Sequence, residues 1–208
     1  MNELQPLAVK PKQGGYTIIE LGIALTIIAV LIVAGLAGVT TVLNNSKANG
    51  QIEESGIVLA KLQSTLTTTN ASGMTTAVAV GSSYFPASRV SGSAVTSKFN
   101  GSEFVRTNSS ALTATEGVVA AIGGGAIYTI TGVPKAVCAN IASSLATLAN
   151  AAWIYSGAPA DEAATLNVTN LTAATTQIKA PGAQVQAARV GTQCNLADTV
   201  NLAFFLRP

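Results

Sequence analysis

Apolar and polar positions divide the chain into unlike stretches. Residues 1–15 are mostly polar, with Lys10, Lys12, Pro6, Pro11 and a single acid, Glu3. From Tyr16 to Leu43 the chain is apolar apart from Glu20 and a few threonines, and Leu21 to Leu43 holds neither a charge nor a proline. At about 1.5 Å per residue that run makes about 34 Å of helix, enough to cross a hydrocarbon core of about 30 Å. Lysines precede it and the next one is Lys47, which by the positive-inside rule predicts a cytoplasmic N-terminus.

The helix is expected to continue past Leu43. Ile52, Gly56, Leu59, Leu62 and Leu66 form one stripe at helical period, with Glu53, Glu54, Lys61 and Gln63 on other faces. The pattern fades through Thr67, Thr68, Thr69 and Asn70 and ends by Gly73. A helix continuous from Tyr16 would be about 80 Å long. Beyond Gly73 the chain turns to Ser, Thr, Gly and Ala with short alternating runs, and Ala77–Val80, Phe99–Arg106 and Ala126–Thr131 read as strands. Pro134 stands near the start of a helix marked by Val137, Ile141, Leu145, Leu148 and Ala152. Thr199–Leu206 reads as a closing strand, while Asn167–Gln186 yields no assignment. The sum is an α+β chain: a long N-terminal helix, then a small domain.

Charge and composition narrow the chemistry. Charged residues make up 10% of the 208, against roughly 25% in an average soluble domain. Eleven scattered basic and nine acidic residues give a net charge of +2, too little for an electrostatic claim on nucleic acid. Without a histidine there is no Ser-His-Asp or Cys-His arrangement and no His-ligated zinc. Gly123-Gly124-Gly125 lacks the following lysine of a phosphate loop. Glu53/Glu54 and Asp161/Glu162 are adjacent pairs whose side chains diverge on a helix, and we read both as solvated surface. Neither an enzyme nor a cofactor is indicated.

The informative stretch is Gly14-Gly15-Tyr16-Thr17-Ile18-Ile19-Glu20-Leu21, where a short charged leader meets the apolar helix at a glycine and a lone carboxylate follows. It resembles the prepilin processing signal of type IV pilins and type II secretion pseudopilins. The resemblance implies that a membrane aspartyl peptidase cuts between Gly15 and Tyr16 on the cytoplasmic side and N-methylates Tyr16. Glu20 would then be the fifth mature residue. The length of the leader, and tyrosine in place of phenylalanine at the new N-terminus, look more like the type IVb branch than type IVa. Glu20 also stands out physically, since an ionised carboxylate costs about 2.5–3.5 kcal/mol near a bilayer centre and less near the interface. In the family its partner is the amine of the neighbouring subunit's first residue, Tyr16 here, in a pair that fixes axial register.

Two other targeting readings compete. Gly35-Leu36-Ala37 would serve an ordinary signal peptidase, but Glu20 inside the apolar run and the stripe continuing to Leu66 argue against it. A plain membrane anchor leaves Gly15 and Glu20 without a role. Gly35 and Gly38 either allow close helix packing or let the helix loosen locally when subunits leave lipid; the mid-helix proline typical of type IVa pilins is missing.

Cys138 and Cys194 are the only cysteines, in a domain expected to face the periplasm, where disulfides persist. The segment Ile127–Pro134 followed by Cys138 resembles the entry to the C-terminal disulfide-bounded region of type IVb pilins. The resemblance implies a Cys138–Cys194 bridge bounding residues 138–194, worth roughly 4 kcal/mol in the chain-entropy model. A catalytic or metal-binding role for them is disfavoured by the absence of histidine and of a close cysteine pair. Residues 139–193 are poor in charge, which suits a face that packs against copies of itself.

The expected organisation is therefore a leader, 1–15; a long helix, 16–70, transmembrane over about 21–43; and an α+β domain, 71–208, with a mostly antiparallel sheet. The resemblance implies a structural subunit of a type IVb-like pilus, a helical homopolymer. Its partners would be copies of itself, the prepilin peptidase/N-methyltransferase, a pilus platform membrane protein and an assembly ATPase. The precursor would sit in the inner membrane and the polymer, a fimbrium, at the cell surface. A minor pilin or type II secretion pseudopilin is the alternative. An enzyme of the periplasm anchored by the N-terminal helix is a third reading, for which the sequence offers no convergent polar groups.

Overall fold

The computed structural model describes residues 14–68, 73–107, 112–114, 117–120, 124–157 and 176–207. The chain falls into two compact units, Met1–Val42 and Leu43–Pro208, and helix α1, Ile18–Thr68, contributes to both. Within the second unit α1 buries one face: Ala48, Gln51, Ser55, Val58, Leu59, Leu62 and Leu66. The expected stripe holds from Leu59 onward. Before that the buried line runs through Gln51 and Ser55, while Ile52 and Gly56 flank it half-buried, because polar partners await those two side chains.

Residues Thr76–Gly81 form a helix, α2, where alternation predicts a strand at Ala77–Val80. Thr75 decides the outcome by capping: its hydroxyl accepts the Val78 N–H at 3.3 Å. The Thr76 hydroxyl accepts the N–H of Val105 at 3.2 Å and so pins α2 to the sheet. A 3-10 turn, Ala87–Arg89, leads into β1 (Val90–Ser91) and β2 (Ala94–Thr96). Strand β3, Ser102–Thr107, starts later than the expected Phe99. Residues 97–101 make a tight turn instead, in which the Ser97 hydroxyl accepts the N–H groups of Phe99 (3.3 Å) and Gly101 (3.0 Å). Gly101 is required there, since a Cβ would lie 1.9 Å from the Thr131 carbonyl oxygen.

Strands β4 (Leu112–Ala114) and β5 (Gly117–Ala120) pair as a separate hairpin. Then come β6 (Ala126–Pro134), α3 (Lys135–Ala146), β7 (Ala151–Tyr155), β8 (Gln177–Lys179), α4 (Ala187–Cys194) and β9 (Thr199–Leu206). Among the described residues the main sheet is antiparallel in the order β1-β2-β3-β6-β9-β7-β8. The helix expected to run to Ala152 stops at Ala146: Leu148 is half exposed, and Ala152 lies opposite Phe204 in the β7–β9 ladder. Lys179 helps to end it, because its ammonium donates to the carbonyls of Ala146 (2.8 Å) and Ala149 (2.7 Å).

Thr199–Leu206 is a strand as expected, and a central one. Val200, Leu202, Phe204 and Leu206 join the core that includes α1 and α3, while Ala203 and Phe205 are buried on the opposite face. Burial on both faces explains why β6, β7 and β9 read as near-continuous apolar runs rather than as alternation.

Candidate functional site

The first candidate is the start of α1. Thr17 is its N-cap: the Thr17 carbonyl accepts the Leu21 N–H at 3.1 Å and its hydroxyl accepts the Glu20 N–H at 3.3 Å. Thr17-x-x-Glu20 has the spacing of a capping box, and Glu20 lies in the first turn, where the helix dipole favours an anion. A local reason thus exists for an acid at this position, one that the sequence reading did not weigh. The Glu20 side chain is exposed, next to the exposed Tyr16, Ile18 and Ile19.

From Leu21 to Leu43 the large apolar side chains are all exposed, and the helix is long and apolar enough to cross a membrane. Thr26 turns its hydroxyl back onto the helix, donating to the Ile23 carbonyl at 2.8 Å. α1 runs unbroken through Gly22, Gly35 and Gly38, and a Cβ added at any of them would meet nothing within 4 Å.

The second unit holds a buried polar cluster that sequence reading missed. Glu103, on β3, has a wholly buried carboxylate. It accepts from Gln51 Nε2 (2.9 Å), from the Tyr128 hydroxyl (2.6 Å) and, in a short ion pair, from Arg89 Nη1. Because the single Tyr128 proton goes to Glu103, the 2.9 Å contact between Ser55 Oγ and Tyr128 Oη has Ser55 as donor. Gln51 Nε2 in turn donates to Ser55 at 2.7 Å, and Gln51 Oε1 accepts the Lys98 N–H at 3.0 Å. Burial first, then the charge and hydrogen bond of Glu103, push the Tyr128 hydroxyl well above the usual tyrosine range.

Glu54, expected to be solvated, extends this cluster. Its carboxylate lies half-buried, 2.7 Å from Lys98 Nζ and 2.7 Å from Arg89 Nε. The Arg89 contact is an ion pair by distance without the alignment of a hydrogen bond. Glu53 is exposed as expected, and Asp161 and Glu162 lie outside the described residues. The only local sign of the cluster was a glutamine and a serine four apart on the inner face of an otherwise apolar stripe. Among the described residues no group of three or more His, Cys, Asp or Glu is placed to hold a metal ion. Within the cluster the side chains of Gln51, Ser55, Glu103 and Tyr128 bond to one another, while Arg89 Nε and Nη2 and Glu54 Oε2 are held by charge and proximity without an aligned hydrogen bond.

Cys138 on α3 and Cys194 on α4 are joined by a disulfide, with Cα atoms 5.7 Å apart and both side chains buried. The leader residues before Gly14 lie outside the described residues.

No family model matches the chain, and no curated protein matches its sequence. Among solved structures it is similar to the type IV b pilin from Salmonella typhi, at 13% identity and a TM-score of 0.48, over 77% of this chain and 99% of that one. It is likewise similar to TcpA, a type IV pilin from Vibrio cholerae El Tor biotype, at 16% identity and a TM-score of 0.46, over 78% of this chain and 98% of that one. These structure neighbours are type IV pilins. Gly15, Tyr16 and Glu20 fall at the exposed head of α1, Gly35 and Gly38 within its apolar stretch, and Cys138 and Cys194 in the bridged C-terminal region.

Proposed function

We propose that this chain is the precursor of a structural subunit of a type IVb-like pilus, cut between Gly15 and Tyr16 and polymerised through α1. The observation that supports this most is the surface of α1 up to Leu43, an apolar helix with every large side chain exposed and one carboxylate in its first turn. Such a surface has to be covered, first by the inner membrane and then by the same helix of neighbouring copies. Lipid tails are as apolar as leucine, so transfer from lipid to a neighbour gains little from apolarity itself. Close packing at Gly22, Gly35 and Gly38 and a pair between Glu20 and the amine of a neighbouring Tyr16 supply the preference. Gly35 and Gly38 also give the helix a place to loosen when it leaves lipid, since glycine costs up to about 1 kcal/mol relative to alanine in a soluble helix.

On this reading residues 1–15 are removed by a prepilin peptidase that N-methylates Tyr16, residues 16–70 form the assembling helix, and residues 71–208 form the outward domain. A platform membrane protein and an assembly ATPase would drive extrusion of the fimbrium to the cell surface. N-terminal sequencing and intact mass of protein sheared from the cell surface test the reading. The expected product begins at methylated Tyr16 and dominates the sheared material. A product beginning beyond Ala37 overturns it, and a product present in traces within filaments of another protein points to a minor pilin or pseudopilin.

A further inference from the structure

The apolar contact of α1 with its domain sets the register only in part. Val58, Leu62 and Leu66 are buried at steps of four, so sliding the helix by one turn brings an apolar side chain back to the Leu62 position, although Gln63 or Ser55 then meets the Leu59 site. We infer that Gln51, together with Ser55, is a register key that selects one axial and rotational setting of α1 on the sheet. This goes beyond the polymer reading and holds for the single chain.

The polar contact admits one setting only. Gln51 uses its whole hydrogen-bonding capacity: Nε2 donates to Ser55 and Glu103, and Oε1 accepts from the Lys98 N–H at 3.0 Å and from Arg89 Nη1 at 3.4 Å. Its partners come from α1 itself, from the 3-10 turn, from the β2–β3 turn and from β3, so they define a point in space rather than a line along the helix. Sliding α1 by four residues in one direction puts Ser55 opposite Glu103, too short to reach both it and the Lys98 N–H. Sliding it the other way brings Lys47, a second cation beside Arg89, and carries Ser55 into a leucine site. Rotation by one residue turns Gln51 about 100° away from Glu103. Each alternative leaves buried donors or acceptors unpaired, and buried polar networks specify a unique packing by that penalty.

The test uses the full chain in detergent micelles with methyl-labelled leucine and valine, read by NMR. Gln51→Leu is expected to give a second set of resonances for Leu59, Leu62 and Leu66, at a tenth of the population or more. Ser55→Ala, which breaks a smaller part of the cluster, gives a smaller second set and serves where Gln51→Leu does not fold. Leu62→Ala lowers the melting temperature but keeps a single set, because it weakens the contact without removing the key. A single set in both polar variants overturns the inference, as does doubling in Leu62→Ala equal to that in Gln51→Leu. The measurement is made on unassembled chains, so it is independent of whether they polymerise.

Discussion

The two parts of α1 on either side of Val42 share one backbone helix and follow opposite rules. Before Val42 the large apolar side chains are exposed and the one ionisable group is Glu20, in the first turn. After it, Gln51 and Ser55 sit buried in the contact face and Glu54 half-buried beside them, each with a partner on another element. Where the chain supplies no internal partner, the helix is almost cleared of polar groups. Where it does supply one, polar groups occupy the middle of the contact. On the proposed reading, specificity in the first part comes from another copy of the chain, whereas in the second it is built into the fold.

The sharpest way to break this contrast is Glu20→Ala. It is expected to abolish filaments while the processed protein persists at normal level in the membrane, as read by shearing and immunoblot; normal piliation would show that the first part needs no polar partner. On the internal side, Glu103→Leu removes the acceptor that Arg89, Gln51 and Tyr128 share, and a loss of about 3–5 kcal/mol is expected from denaturant unfolding. Were the loss below about 1 kcal/mol, the cluster would be dispensable. Replacing both Cys138 and Cys194 by Ser should cost about 2–4 kcal/mol in the same assay, with no change in the behaviour of α1 before Val42.

A pH titration sharpens the picture of the second unit. Burial pushes the Tyr155 hydroxyl up to about 12, and Tyr128 is raised as well. Since folding raises both values, their contribution is whole below the unfolded tyrosine value of about 10 and is lost as pH climbs toward and through 12. Lys179, held below the ordinary lysine range by burial, works in the opposite sense and gives back a little stability as pH approaches its unfolded value. Melting temperatures between pH 8 and 12 would therefore be flat and then fall; a fall beginning at pH 8 would contradict the assignment. The smallest effect is expected from Lys179→Met, about 1 kcal/mol at neutral pH, from lost capping of α3.

What the sequence made legible follows the range of the interactions. The 23 uncharged positions from Leu21 to Leu43 announce α1, and a proline followed by helical spacing announces α3, because those signals lie within a few turns. Ala77–Val80 misled because a strand-like alternation was overruled by one hydroxyl, Thr75, placed to cap a helix. β7 went unread because Ala151-Ala152-Trp153-Ile154-Tyr155, buried on both faces, continues the apolar pattern of α3 without a break in composition. The polar cluster was out of reach for a different reason: Gln51 meets Glu103 and Ser55 meets Tyr128 across 52 and 73 positions, and none of the four is distinctive in its own window. The head of α1 was legible in composition, but the capping role of Thr17 emerged only from geometry.

Strand β9 comes last in chain order among the described elements, yet it is the seam between β6 and β7, which have no ladder with each other. Until residues 199–206 are in place, β1-β2-β3-β6 and β7-β8 remain separate ribbons, each with a naked border open to mispairing. Closure of the sheet therefore waits on β9, and a chain truncated before Thr199 would hold two half-sheets with nothing to join them.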